Sequence, residues 1–408
     1  MRSLLFLVAF LGSAAAQQFY CSSCTHLGQV ATRSGAPTQF DVSYNYVQTR
    51  SSHYFRSAVT AIQIRIPCWY IVANGSGSET NTGSFCTATA GVEYPSGTFT
   101  QVTFGGNSTA TISDGTTVLS DAISVTIPAN TQTWVRIWMH NTSGVPIAST
   151  PEDSTLGEAM DCSASVLTDK TTSGTVTQSC SGSNGILTPI SIIAATSAPS
   201  ICIVGDSRAF GIDDTINKAA PGDYGDIAPS IGGNFGYISM SVSGRTIAEF
   251  NSSNALEVAI ADADCTYVIG ELGINDFIGG ANAATVESRW QTSWALFSGP
   301  RLYQTTLEPK TSSSDSWATI SNQTVSGFSA QWLLANSYLA GVPSPLSGYF
   351  DVASAVTNTA TGGSSCTSTG ICWNAPPAIT ADGTHENGTG YAAIPTANVI
   401  PLSAFHFP

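Results

Sequence analysis

The sequence predicts an all-β region followed by an α/β domain built on a parallel sheet. Between about residues 20 and 190, short runs alternate apolar and polar residues, with Gly, Pro and Asn between them and no clear helical period. From about residue 198, apolar runs alternate with stripes at helical spacing, the pattern of strand–helix–strand units. The 408 residues are too many for one small domain and suit two. With 42% hydrophobic and only 10% charged residues, 38 glycines and 19 prolines, the chain can bury a sizeable core and reads as rigid rather than disordered.

Residues 1–16 read as a signal peptide: Arg2 supplies the positive end, Leu4 to Leu11 is apolar throughout, and Ala14-Ala15-Ala16 fits small-residue cleavage before Gln17. Eight to ten apolar residues cannot cross a bilayer, and no later run is long enough, so a secreted, extracellular protein without a transmembrane segment is expected.

Residues 17–198 are read as a β-sandwich-like accessory domain with its linker. Ile62, Ile64 and Ile66 share one face of a strand, with Gln63 and Arg65 on the other. Ile123, Val125 and Ile127 repeat the pattern, and Trp134, Arg136 and Trp138 alternate with Val135, Ile137 and Met139. Trp134 and Trp138 could stack on sugars or simply pack. Asp114-Gly115 reads as a hairpin turn, and the Ser/Thr/Gly-rich stretch 160–188 as a loop-rich connection.

Residues 199–408 form the second domain. Its expected strands are Ile201 to Val204, Ile238 to Val242, Tyr267 to Ile269, Leu302 to Leu307 and Tyr349 to Ala353. Val286, Trp290, Trp294 and Phe297 form one helical stripe, closed by Gly299; Phe328, Trp332, Ala335 and Leu339 form another, closed by Gly341.

A net charge of -14, with lysine only at Lys170, Lys218 and Lys310, argues against nucleic acid as a partner. Ten cysteines in a secreted chain suggest disulfides. Local pairs are expected at Cys68–Cys86, Cys162–Cys180 and Cys366–Cys372. Cys202 and Cys265 either pair across neighbouring strands or stay as buried thiols. Cys21 and Cys24 have CxxC spacing, but no second ligand pair follows at zinc spacing. Sequons occur at Asn74, Asn107, Asn141, Asn251, Asn322 and Asn387.

Four short blocks carry chemistry. Gly205-Asp206-Ser207 directly follows an apolar strand; then come Ser243-Gly244-Arg245, Gly273-Ile274-Asn275-Asp276 and Asp382-Gly383-Thr384-His385. The first three follow the carboxyl ends of successive strands, where open α/β sheets place their sites. A serine hydroxyl needs a base to take its proton. Of the five histidines, His385 alone has an aspartate three residues earlier in a Gly-rich loop late in the α/β region. Asp382 would hold its tautomer and stabilise the imidazolium. The amides of Ser207 and Gly244 and the side-chain amide of Asn275 would meet a developing oxyanion. Arg208 reads either as facing the substrate or as a solvated loop charge, and Gly383 and Thr384 as spacers. Asp206 and Asp276 read as supports of their loops, and Asp213, Asp214, Asp223 and Asp226 as a solvated acidic loop without EF-hand spacing.

In order and context these blocks resemble the SGNH/GDSL hydrolase superfamily, over roughly residues 199–400. The chain departs from the Gly-Asp-Ser-Leu consensus with Arg208 after the serine. The resemblance implies a flavodoxin-like three-layer α/β/α hydrolase domain and an esterase working through an acyl-serine, with no cofactor and no metal. The substrate class stays open: secretion and the added β-domain favour an ester on an acylated polysaccharide, with a secreted lipase or phospholipase as the alternative. A non-catalytic glycan-binding protein is the third reading, and it predicts a missing block residue, whereas none is missing.

Overall fold

The computed structural model describes residues 25–180, 185–214, 222–358, 366 and 371–406. The signal-peptide reading of residues 1–16, and Cys21 and Cys24, lie outside the described residues. No described helix is long and apolar enough to cross a membrane.

Among the described residues, the N-terminal region holds two larger antiparallel sheets beside several two-stranded ones. In one, strands run in the order His26–Gln29, Ser191–Thr196, Val59–Pro67 and Thr117–Leu119, with Ile123–Ile127 also on Val59–Pro67. In the other the order is Thr109–Ile112, Cys86–Glu93, Thr131–His140, Tyr46–Phe55 and Ala159–Ser163, with Phe99–Gln101 beside Cys86–Glu93. Alternation decides which side chains are buried. Ile62, Ile64 and Ile66 of the first sheet and Val135, Ile137 and Met139 of the second enter one apolar cluster. On the opposite side of Thr131–His140, the indole N–H of Trp134 donates to the Leu156 carbonyl and that of Trp138 to the Leu167 carbonyl. Both rings are therefore packing elements under the chain that follows.

The Asp114-Gly115 turn forms, but it is not a hairpin. The strands it joins lie in different sheets, Thr109–Ile112 on Cys86–Glu93 and Thr117–Leu119 on Val59–Pro67. Turn chemistry fixes a reversal; it does not fix the partner of the next strand.

The third sheet is parallel throughout, in the order Ser34–Gly35, Gly236–Ser241, Ser200–Gly205, Tyr267–Gly270, Arg301–Thr305 and Gly348–Phe350. Its central strands Ser200–Gly205 and Tyr267–Gly270 are apolar on both faces, as buried parallel strands require. Cys202 and Val204 enter a cluster with Ile247, Val286, Trp290 and Trp332 from the helices. Ile201 and Ile203 enter another with Ile227, Val356 and Ile394. Val286, Trp290 and Trp294 fall on the helix Ala283–Trp294, which is capped at Ala295 and so ends before the expected Phe297 and Gly299; Trp332, Ala335 and Leu339 fall on Ser329–Ala340, with Phe328 at its start and Gly341 closing it. The expected last strand is shorter than Tyr349 to Ala353: it ends at Phe350, and Ala353 opens the short helix Ala353–Val356. The first strand, Ser34–Gly35, comes from the N-terminal region and lies on Gly236–Ser241.

The three local disulfides form as expected. Cys202 bridges to Cys265, which closes the helix Ala255–Asp264 rather than sitting in a neighbouring strand.

Candidate active site

Ser207 opens the short helix Ser207–Phe210 straight after the strand Ser200–Gly205. Asp206 caps that helix by accepting from the Arg208 N–H at 3.0 Å, which aims Ser207 out of the sheet end. A Cβ at Gly205 would lie 2.4 Å from the Ala209 side chain, so the tight exit needs glycine there.

His385 arrives on the loop Asp382 to His385, which folds around one carboxylate. Asp382 Oδ1 accepts the Thr384 and His385 N–H groups at 2.7 and 2.8 Å, while Oδ2 meets His385 Nδ1 at 2.7 Å. His385 Nε2 stands 2.8 Å from Ser207 Oγ. Burial alone would raise the Asp382 carboxyl; the hydrogen bonds from the imidazole and both amides outweigh it and hold the acid well below the usual carboxylate range. Asp382 is therefore an anion, and the imidazole nitrogen beside it carries a proton. The serine-facing nitrogen is then free to accept.

Gly383 and Thr384 do more than space these residues. Gly383 has φ +74°, and a Cβ there would fall 2.0 Å from the Thr311 carbonyl oxygen. The Thr384 carbonyl accepts from Arg208 Nε at 2.8 Å and the Gly383 carbonyl from Trp373 Nε1 at 3.0 Å. Arg208 neither faces solvent nor a substrate cleft. Its side chain is fully buried and bonds Glu308 at 2.6 Å and the Pro309 carbonyl at 2.8 Å. One guanidinium thus ties the serine helix to the histidine loop.

Gly244 lies in a turn closed by the Arg245 N–H on the Val242 carbonyl at 3.1 Å, with φ +79°. Among the described residues, neither the Ser207 nor the Gly244 amide meets a hydrogen-bond acceptor. Asn275 is differently placed. Its Nδ2 already donates to Asp206 Oδ2 at 3.0 Å and to the Arg245 carbonyl at 3.1 Å, so it links the serine cap to the Gly244 turn. Asp276 supports its surroundings as expected, accepting the Ile247 N–H at 2.7 Å and pairing with Arg289 at 2.6 Å.

Behind the serine lies a group of acids. Asp206, Asp226, Glu271, Glu308 and Glu386 are all buried, with Arg208 among them. The acidic loop expected in solvent is split: Asp213 is exposed, whereas Asp223 and Asp226 are buried. Carboxylate oxygens of Asp226, Glu271 and Glu308 come within 4.8 Å of one another, as do ligand atoms of Asp213, Asp382 and His385 at the surface. In the surface group the imidazole is committed to Asp382 and Ser207. In the buried group, loss of water raises every carboxyl, and mutual repulsion adds to it for Asp226 and Glu271. Burial, then Glu308, pushes Glu386 up to about 8. Two of these acids left a trace in sequence: Glu271 and Glu308 are lone acids in apolar surroundings at strand ends.

A comparison with protein-family models finds no match, and neither does one with curated proteins. Among solved structures, the chain is similar to an aryl esterase of M. smegmatis, at 16% identity and a TM-score of 0.34, over 51% of this chain and 100% of that one. It is similar to a carbohydrate acetylesterase from Sinorhizobium meliloti at 15% identity and a TM-score of 0.32, over 51% of this chain and all of that one. Similarity to a salicylyl-acyltransferase from a tetracycline biosynthetic pathway is 11% in identity with a TM-score of 0.32, but spans 88% of this chain and 83% of that one. Scores this low assign no activity.

Proposed function

We propose that the chain is a secreted serine esterase that hydrolyses carboxylic esters through an acyl-serine intermediate. The observation that carries this reading is the unbroken contact from Ser207 Oγ to His385 Nε2 at 2.8 Å and from His385 Nδ1 to Asp382 at 2.7 Å. Ser207 attacks the ester carbonyl as His385 takes its proton. The free amides of Ser207 and Gly244 receive the oxyanion, and Asn275 joins them by sharing one of its Nδ2 hydrogens. His385 returns the proton to the leaving alcohol, then activates water to release the acid. One such oxyanion donor is typically worth about 3–4 kcal/mol.

We read the parallel sheet, with apolar clusters on both faces, as a flavodoxin-like three-layer α/β/α hydrolase domain over 199–408. The two antiparallel sheets with a shared core are read as a β-sandwich over 17–198. The substrate we favour is an acylated, most simply acetylated, polysaccharide. In support, the Asp382 side chain is 43% exposed at the rim of the site, an openness that suits an acyl group carried on a bulky polymer.

The test is p-nitrophenyl acetate hydrolysis by the wild type and Ser207→Ala, then octanoate and acetylated xylan or pectin. Turnover should fall at least about a thousandfold in Ser207→Ala, with acetate preferred and acetate released from the polymer. Equal rates in the two proteins would sink the esterase reading. Preference for octanoate would support a lipase instead.

A further inference from the structure

From the hydrogen bond between the Asn74 amide and the Ser243 carbonyl, we infer that Asn74 of the N-terminal region is a positioning residue that aims the Gly244 N–H at the reacting carbonyl. This deepens the esterase reading and rests on it. The Asn74 N–H donates to Ser243 O at 2.8 Å. That oxygen and the Gly244 N–H belong to one peptide plane. In a trans peptide the two point in opposite directions. Holding the oxygen toward Asn74 therefore turns the N–H away from Asn74, and among the described residues that N–H meets no acceptor. A donor on the carbonyl side also polarises the same peptide and strengthens its N–H.

The clamp is built rather than incidental. Ser243 Oγ returns a second bond to Asn74 Oδ1 at 3.2 Å. Asn74 stands at φ +52°, a left-handed conformation that asparagine tolerates and β-branched residues resist. It sits at the tip of a hairpin formed by Trp69–Ile71 and Glu79–Asn81. The loop end of that hairpin, at Glu79 opposite Ile71, is fastened to the α/β region. Glu79 accepts the Leu256 and Glu257 N–H groups at 2.8 and 2.7 Å, at the start of the helix Ala255–Asp264. Gly77 lies so close to Arg245 and Glu249 that a Cβ would come within 2.8 and 2.9 Å of their side chains. On the far side of the same turn, Asn275 holds the Arg245 carbonyl. The turn around Gly244 is thus held at two points, at the Ser243 carbonyl by Asn74 and at the Arg245 carbonyl by Asn275, one residue from each region of the chain.

Asn74 begins a sequon, so the proteins compared come from a host that does not glycosylate. Asn74→Val keeps the N–H but resists the left-handed conformation that directs it. We expect kcat on p-nitrophenyl acetate to fall roughly tenfold to a hundredfold, part of the worth of one oxyanion donor, with KM within about twofold. Affinity for an alkylboronic acid, which forms a tetrahedral adduct on the serine, should fall by the same factor. Asn74→Gly restores the backbone conformation without the side chain and should recover most of both losses. Asn74→Ala lies between them and serves if the valine variant does not fold. Melting temperatures separate misfolding from misalignment. A folded Asn74→Val with unchanged kcat and boronate affinity, or with only KM altered, overturns the inference. Should Ser207→Ala retain full turnover, the esterase reading falls and this inference with it; if only Ser207→Ala is inactive, the inference alone fails.

Discussion

Two glutamates in this molecule are buried to a similar end with opposite results. In the antiparallel region, Glu93 is met by Arg50 and Arg136, at 2.8 and 2.9 Å. Burial would raise it, but hydrogen bonds from Arg50 and the Gly97 N–H, with the charges of both arginines, bring it down to about 2. In the α/β region, Glu386 shares Arg208, the one cation there among the described residues, with four other buried acids and is pushed up to about 8 by burial and then by Glu308. The antiparallel region repeats its balance in Arg33–Glu158, both side chains fully buried at 2.6 Å. The difference is one of stoichiometry. Where arginines meet the acid its carboxyl is held down; where acids outnumber the arginine they are pushed up, and here that surplus lies behind Ser207.

The harshest way to break this comparison is Arg208→Met. It removes the one cation found among the buried acids in the described residues, and the donor on the Thr384 carbonyl beside His385. Breaking a buried pair costs about 3–5 kcal/mol. Denaturant unfolding should show a loss of that order, and kcat should fall in whatever fraction remains folded. Glu158→Gln breaks the matched pair on the other side. It should likewise cost about 3–5 kcal/mol in the same measurement but leave kcat within experimental scatter, because Arg33 holds the fold rather than the histidine loop.

The pH dependence sharpens the contrast more gently. An unfolded glutamate loses its proton near 4.5, whereas Glu386 keeps one up to about 8. Below 4.5 both states are protonated and the contribution is complete; between 4.5 and about 8 only the folded state holds the proton, so stability falls as pH rises. Glu386→Gln should flatten that slope in thermal melts across the window. The effect of opposite sign belongs to the antiparallel region. His53 is buried, which lowers it from 6.5 to about 3, so the folded state refuses a proton that the unfolded chain accepts. Its contribution is full above 6.5 and is lost as pH falls toward 3, and His53→Gln should reduce the acid-side slope.

What was legible in the sequence was whatever is local. The strand alternation of Ile62, Ile64 and Ile66, the helical stripes of Val286, Trp290 and Trp294 and of Trp332, Ala335 and Leu339, the latter closed by Gly341, and three disulfides between near neighbours all follow from short-range period or spacing. The serine and histidine blocks could be read because each carries its own support, Asp206 for one and Asp382 for the other. What escaped depends on distant partners. Arg208 looked like a loop charge because Glu308 and Thr384, which bury and bond it, lie far along the chain. Asp226 looked solvated for the same reason. Nothing near Asn74 announced that its amide meets Ser243, or that the turn at Asp114 sends the next strand to another sheet.

The small strand Ser34–Gly35 has a consequence for how the chain must be made. It covers the edge of Gly236–Ser241, yet it leaves the ribosome long before that partner strand exists. The first-made region cannot finish folding until much of the later one has been translated, so completion waits on a contact of high sequence separation. Conversely, a protein expressed from residue 199 onward would present Gly236–Ser241 as a bare edge, open to pairing with another copy. Synthesis of the two halves as separate products should therefore yield aggregate from the second, and rescue of solubility when the first is supplied alongside.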